Sequence, residues 1–245
     1  MSHQSGGRYS LRHGRFQDTL ADAKWDHAIF DAPYSAKTHN AHAAGLGEHM
    51  SRPMDYTAWT PADVAECCDF ICPRTAGWVV SITDHHLGPV WAEALESHGR
   101  YVFSPLAFVH PGSRVRLAGD GPAQWSVWII VSRPRSAPYS KWGSLPGAYV
   151  MPKDAPYEPK REIGGKPEWL MRELVKDYSR PGDLICDPCA GWSTTGVAAL
   201  QEGRRFIGSE VREEAYKASL ERLSKPVRVS LFADVPKPEQ LTLTP

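Results

Sequence analysis

The chain has 245 residues, 42% of them hydrophobic and 23% charged, with 28 Lys and Arg balancing 28 Asp and Glu. That length carries one well-cored α/β domain with room for a small insertion, and the composition excludes a disordered or fibrous chain. No apolar run reaches 18 residues, and Met1-Ser-His-Gln-Ser-Gly-Gly7 lacks the basic start and apolar stretch of a secretory leader, so the expected location is the cytoplasm.

Five cysteines, Cys67, Cys68, Cys72, Cys186 and Cys189, make an odd number and point to a reducing compartment rather than a disulfide framework. Cys186-Asp-Pro-Cys189 has C-x-x-C form, and with the Cys67, Cys68 and Cys72 cluster it could be drawn as a zinc site. Cys68 and Cys72, at i, i+4 on a predicted helix, read more simply as small apolar core residues, so no metal is expected. Charge is unevenly spread. Residues 110–166 hold nine Lys and Arg against four acids, a local surplus of five, which gives one face the means to follow phosphates or is merely a solvated loop.

Residues 8–20 are short and polar, with Gly14 offering a turn. Trp25-Asp-His-Ala-Ile-Phe30 reads as a strand running into Asp31-Ala-Pro-Tyr34, a polar and aromatic tetrapeptide at the carboxyl end, where open α/β sheets place their chemistry. Residues 35–59 form a long polar stretch with His39, His42 and His49, of a length that is usually functional or mobile, and the histidines, with no fixed ligand spacing, read as surface residues rather than a metal site. Thr60 caps a helix with Pro61 in its first turn. A strand at 77–82, a helix at 89–98, a strand at 101–109 and a strand at 125–131 follow, the last two as an antiparallel edge pair. Asp84-His85-His86 follows a strand and so faces the same crevice side as the tetrapeptide, and it reads first as the turn that opens the helix.

Residues 132–165 lose all periodicity, with six prolines and with Arg133, Arg135 and Lys141 interleaved with Tyr139, Trp142, Tyr149 and Tyr157. Such a segment can contact phosphates and stack on bases, or can be a plain connector. A second Asp-Ala-Pro-Tyr, at 154–157, has no strand feeding it and is read as a loop coincidence. A helix at 167–178 places Leu170, Leu174 and Tyr178 on one face. Leu184-Ile-Cys186 is a buried strand that turns through Asp187-Pro-Cys-Ala-Gly-Trp-Ser-Thr194 into a helix at 195–202. The parallel strand 205–209 then ends on Glu210, placed to accept the hydroxyls of a ribose. Gly191-Trp-Ser-Thr-Thr-Gly196 is an imperfect G-x-G-x-x-G, so this half-site fits a dinucleotide as well as another nucleoside cofactor. A helix at 212–223 and a Pro- and Lys-containing tail close the chain.

Alternating strands and helices predict an α/β fold with a doubly wound, mostly parallel sheet. The tetrapeptide Asp31-Ala-Pro-Tyr34 resembles the (Asp/Asn/Ser)-Pro-Pro-Tyr motif of S-adenosylmethionine-dependent DNA amino-methyltransferases, with Ala32 for the first Pro. Asp187-Pro-Cys-Ala-Gly-Trp-Ser-Thr-Thr195 resembles the Asp-Pro-Phe-x-Gly-x-Gly-Thr-Thr signature of the same family, with Cys189 for Phe and Ser193 for Gly. The order of tetrapeptide, insertion and cofactor turn is similar to the permuted beta group, over about residues 8–223.

The resemblance implies a Rossmann-like methyltransferase domain, with a catalytic half at 1–131, a short target-recognition insertion at 132–165, a cofactor half at 166–223 and a tail at 224–245. It implies transfer of a methyl group from S-adenosylmethionine to N6 of adenine in double-stranded DNA, after the base is flipped from the stack. N4 of cytosine is the nearest alternative. The residue types suit that chemistry: an exocyclic amine is a poor nucleophile because its lone pair is delocalised into the ring. Acceptors at Asp31 and at the backbone of Ala32 or Pro33 would hold its N–H groups and favour a pyramidal nitrogen, and Tyr34 would stack on the base.

By the same resemblance the cofactor residues are Lys166, Asp187, Cys189, Ala190, Gly191, Ser193, Thr194 and Glu210. Phe16 or Gln17 would replace an Asp that many relatives carry after the glycine equivalent to Gly14. The DNA contacts would be Arg114, Arg116, Arg133, Arg135, Lys141 and Trp142. A homodimer could compensate for the short insertion, and no membrane partner is expected. Two further classes stay open, a nicotinamide-dependent oxidoreductase and a non-catalytic DNA-binding relative.

Overall fold

The structure, a computed structural model, describes residues 3–44, 56–112, 122, 124–136, 142–154 and 165–225. The strands are β1 (His3–Gly6), β2 (Tyr9–His13), β3 (His27–Asp31), β4 (Val79–Thr83), β5 (Arg100–Val102), β6 (Leu106–Val109), β7 (Ser126–Pro134), β8 (Ala148–Val150), β9 (Leu184–Asp187) and β10 (Arg205–Glu210). The helices are α1 (Phe16–Thr19), α2 (Ala36–Ala44), α3 (Pro61–Ile71), α4 (Gly88–Ser97), α5 (Glu168–Tyr178), α6 (Thr194–Gln201) and α7 (Glu213–Ser224).

The described strands form one sheet in the order β1-β2-β10-β9-β3-β4-β7-β6-β8, with β5 alongside β7. The central strands β2, β10, β9, β3 and β4 are parallel. Antiparallel pairs flank them, β1 on β2 and β7 on β4, β5 and β6. The parallel centre is buried on both faces, as βαβ crossovers require. Ile29, Val80, Ile82, Ile185 and Phe206 pack with the inner faces of α5, α6 and α7. Their strand neighbours Ala28, Phe30, Val79, Cys186 and Ile207 pack with α1, α3 and α4. The fold is therefore the three-layer α/β sandwich expected from the alternation.

Local chemistry accounts for several boundaries. Thr60 caps α3 in a reciprocal box: its hydroxyl accepts from the Asp63 amide at 3.4 Å, and Asp63 accepts from the Thr60 amide at 2.8 Å. Gly196 sits on α6 where an added Cβ would meet Phe206 at 2.8 Å, so helix and strand approach as closely as they do only because no side chain intervenes.

Four details differ from expectation. The polar stretch 8–20 contains β2, with Leu11 fully buried between β10 and β1, and the short helix α1. Residues 36–44 of the long polar stretch are helical. The single strand 101–109 is two strands, both on the same side of β7; Pro105, with no N–H to give the ladder, stands between them. The insertion adds β8 to the sheet beside β6, so it is partly woven into the domain. Among the described residues no helix is long and apolar enough to cross a membrane.

Candidate active site

Sheet register brings the two sequence motifs together. Ala28 of β3 pairs with Cys186 of β9, which continues to Ile29 beside Asp187, and Asp187 pairs in turn with Gly208 of β10. Asp31 and Glu210 each lie two residues further along their strands, on the same face as Asp187. They flank it at the carboxyl end of the sheet, about 10 Å apart across two strand spacings. Segments more than 150 positions apart in the chain thus form the two walls and the floor of one cleft.

At the first wall, Asp31 accepts a hydrogen bond from Lys166 Nζ through Oδ2 at 2.8 Å, and the same ammonium stands 4.7 Å from the centre of the Tyr34 ring. Lys166 is 9% exposed and Asp31 28%. Burial raises the Asp31 carboxyl above its ordinary range, and the Lys166 ammonium opposes the rise without cancelling it. Asp31 Oδ1 and the Tyr34 hydroxyl are buried, and although the carboxylate and the phenol lie close enough to act on each other, neither atom completes a hydrogen bond of good geometry among the described residues. Ala32 is held by its amide to the Ile82 carbonyl at 3.3 Å, so the tetrapeptide leaves the sheet still tied to β4.

The segment after Tyr34 is fastened by Asp84, expected as part of a helix-opening turn on the crevice side. Asp84, at the carboxyl end of β4, does cap the helix-opening turn, accepting the amides of His86 at 3.0 Å and Leu87 at 2.9 Å. It also accepts from the Ser35 amide at 2.9 Å, the Ser35 hydroxyl at 2.6 Å and the Thr38 hydroxyl at 2.5 Å. Its position directly after a strand was the available signal; the partners came from a loop 49 residues away.

At the floor and second wall, Asp187 Oδ1 accepts the Cys189 amide at 2.9 Å, and the Ala190 amide reaches the Ser209 carbonyl at 2.9 Å. Burial is the main reason the Asp187 carboxyl is pushed up to about 7, against hydrogen bonds from Thr195 and Cys189 and with the carboxylates of Asp31 and Glu210 adding to the rise. The turn then takes two left-handed residues, Gly191 at φ 52° and Ser193 at φ 53°. For Ser193 that conformation costs about 1–2 kcal/mol, and its fully buried hydroxyl has no partner among the described residues. Ser193 stands at the N-cap position of α6 without a side-chain cap bond, and the helix begins at Thr194, one residue earlier than the sequence suggested. Glu210, 6% exposed, accepts the Gly191 amide through Oε2 at 2.7 Å and the Arg212 amide through Oε1 at 2.8 Å.

Phe16 and Gln17 follow the end of β2, where the Gly14 amide meets the Glu210 carbonyl at 2.9 Å; the Phe16 ring packs 5.2 Å from Phe70, and Gln17 donates to Glu66 at 2.7 Å while its Oε1 is buried with no partner among the described residues. Arg114, Arg116 and Lys141 lie outside the described residues. Arg133, Arg135 and Trp142 are at the wrong end of the sheet for a DNA contact beside Asp31. Because β7 runs antiparallel to β4, with Ser132 opposite Val79 and Trp128 opposite Thr83, its Arg133 end emerges at the amino ends of β3 and β4. That is about 15 Å of strand away from the tetrapeptide. There Arg133 is buried over the rings of Tyr101 and Phe103, at 5.1 and 5.8 Å, and Trp142 packs edge-on to Trp78 and His27 under the Arg180 guanidinium, 3.9 Å from its ring centre. The other ends of β6, β7 and β8 do lie on the cleft side, where Trp125 is 46% and Val150 54% exposed.

Residues 156–221 match the model of a DNA methylase family. DNA adenine methyltransferase YhdJ of Escherichia coli (strain K12) is 47% identical over 58 residues, 24% of this chain and 20% of that protein. The matches thus span a minor part of the relatives: putative methylase YubD of the same organism is 32% identical over 92 residues, 31% of this chain and 40% of its own length. Among solved structures, the complex of M1.HpyAVI with SAM superposes with a TM-score of 0.66 at 19% identity, covering 89% of this chain and all of that one. Residues 156–221 are thus similar in sequence to the DNA methylase family, and the fold around them is similar to that of M1.HpyAVI.

Proposed function

We propose that the protein transfers a methyl group from S-adenosylmethionine to the N6 amino group of adenine in double-stranded DNA. The observation that carries this reading is the cleft in which Asp31 and Glu210 flank Asp187 on one face of the sheet. The buried Asp31 Oδ1, Tyr34 hydroxyl and Ser193 hydroxyl support it, since none completes a hydrogen bond of good geometry among the described residues and a ligand would satisfy them. The name of the relative YhdJ, an adenine methyltransferase, supports adenine as the base.

The residues fit the cofactor. Glu210 Oε2 has spent one lone pair on the Gly191 amide and keeps another for a ribose hydroxyl, while Oε1 is held by both the amide and the guanidinium Nε of Arg212. Asp187, Cys189, Ala190, Gly191, Ser193 and Thr194 would shape the pocket for the methionine end, with the first amides of α6 turned outward. The cofactor, when bound, supplies an electrophilic methyl group. Asp31 would accept an amino N–H through Oδ1 and take or pass on the proton that the nitrogen releases, with the backbone of Ala32 or Pro33 as second acceptor. Tyr34, with the Lys166 ammonium over its ring, would stack on the flipped base. DNA would approach the cleft side, where Trp125 and Val150 stand exposed.

Labelled-methyl transfer to duplex DNA, followed by digestion to nucleosides, tests the proposal. Label is expected in N6-methyldeoxyadenosine, falling by about a thousandfold or more in Asp31→Ala. Label in N4-methyldeoxycytidine, or transfer at the wild-type rate in Asp31→Ala, would refute it.

A further inference from the structure

We propose that Lys166 is a positioning residue for the transfer, holding Oδ2 of Asp31 so that Oδ1 is presented to the amino group of the base. The inference rests on the proposed function and assigns to Lys166 work on the carboxylate rather than on the cofactor.

Two rigid elements set the contact. Asp31 ends a central strand, and Lys166 immediately precedes Pro167, which restricts it to extended backbone and caps α5. That helix is anchored by Leu170, Met171 and Leu174, all essentially buried in the core. The lysine stem is therefore delivered from a fixed point, and its ammonium meets Oδ2 at 2.8 Å. A carboxylate has about four acceptor sites on its two oxygens. The Lys166 contact occupies one side, while Oδ1 is buried beside the Tyr34 hydroxyl and completes no hydrogen bond of good geometry among the described residues. A buried acceptor left unmet is costly unless a ligand completes it, by about 1–3 kcal/mol. The arrangement is what an acceptor awaiting an N–H donor needs: one oxygen clamped, the other aimed and desolvated.

The charge matters as well as the geometry. Around Asp31 stand Lys166 from the start of α5, Tyr34 from its own loop and Asp187 from β9; β4 contributes uncharged Ile82 beside it, and Asp84 and Tyr56 act on Tyr34. Lys166 is the cation among these groups. Burial already raises the Asp31 carboxyl, so without Lys166 more of it would be protonated at neutral pH, and a protonated oxygen is a poorer acceptor.

The test compares wild type with Lys166→Met and Lys166→Arg. In carboxyl-carbon NMR titrations without DNA, with the signal assigned through Asp31→Asn, the Asp31 midpoint is expected to move up by about one pH unit or more in Lys166→Met and to return in Lys166→Arg. Lys166→Gln, neutral but polar, should give the same upward movement and serves where the methionine variant does not fold. In methyl transfer, kcat is expected to fall by about a hundredfold while KM for S-adenosylmethionine stays within about threefold, and the acid limb of the rate should move up with the NMR midpoint. An unmoved midpoint, or a loss of activity explained by weaker S-adenosylmethionine binding, overturns the proposal. Absence of transfer in the wild type would count against the proposed function instead, and the NMR titration would then decide the role of Lys166 by itself.

Discussion

Asp84 and Ser35, on different elements and 49 residues apart, are joined twice, the carboxylate accepting the serine amide at 2.9 Å and its hydroxyl at 2.6 Å. Ser35 follows Tyr34 directly, so the pair ties the end of the tetrapeptide to the end of β4. Asp84→Ala would strand the Ser35 and Thr38 donors in a buried setting and is expected to cost about 3 kcal/mol in urea unfolding. It should also lower kcat, since Tyr34 loses its anchor. Burial raises the Asp84 carboxyl, but hydrogen bonds from Ser35, Thr38 and Leu87 bring it below its ordinary value. The stability it contributes is therefore present above about pH 4 and lost only as pH falls through the lower folded value.

Ser193 combines left-handed backbone with a buried, unpartnered hydroxyl. Ser193→Gly removes both penalties at the cost of a more flexible unfolded chain, and is expected to raise stability by about 1 kcal/mol. That corresponds to a rise of about 2–4 °C in melting temperature for a chain of this size. Ser193→Ala, which removes the hydroxyl alone, should gain less, and calorimetry on the three proteins would separate the two effects.

Asp187 titrates at about 7 in the folded chain because it is buried, whereas a free aspartate titrates near ~3.9. As pH rises between those values the unfolded chain ionises first, so stability falls, and above about 7 the loss is complete. The full penalty is at most about 4 kcal/mol. Asp187→Asn, which keeps an acceptor for the Cys189 amide, is expected to be more stable than wild type at pH 8 and to show less of the decline between pH 4 and 7. Denaturation series at several pH values check this; a parallel decline in both proteins would remove Asp187 as its cause.

Arg133 and Arg135 leave the sheet at the end opposite the cleft. Arg135→Ala should leave DNA affinity and its salt dependence unchanged within about twofold, since no phosphate contact is lost. Arg133→Ala should destabilise by about 1 kcal/mol, through lost stacking on Tyr101 and Phe103, with the same indifference in DNA binding. Mobility-shift titrations at two salt concentrations are the measurement.

What the chain declared by itself was local. The run from Leu184 through Gly191 to Gly196 announces strand, turn and helix by its apolar residues and glycines, and Asp31-Ala-Pro-Tyr34 announces a strand end. Thr60 and Pro61 announce the start of α3. Each of these follows from periodicity, capping or fixed φ within a few residues. Strand direction, pairing and side-chain partnership were settled only in three dimensions. β2 could not be read because it has one deeply buried apolar residue, Leu11, and is a strand because β10 and β1 offer it ladders. The basic and aromatic residues after β7 looked like one DNA-facing cluster, yet antiparallel pairing with β4 carries Arg133 and Trp142 to the far side. Lys166 was legible as a neighbour of the cofactor pocket, and its bond to Asp31, 135 positions away, was not. Pattern along a chain fixes which face a residue takes on its own element, but which other residue it meets depends on contacts formed between elements, and these have no period to read.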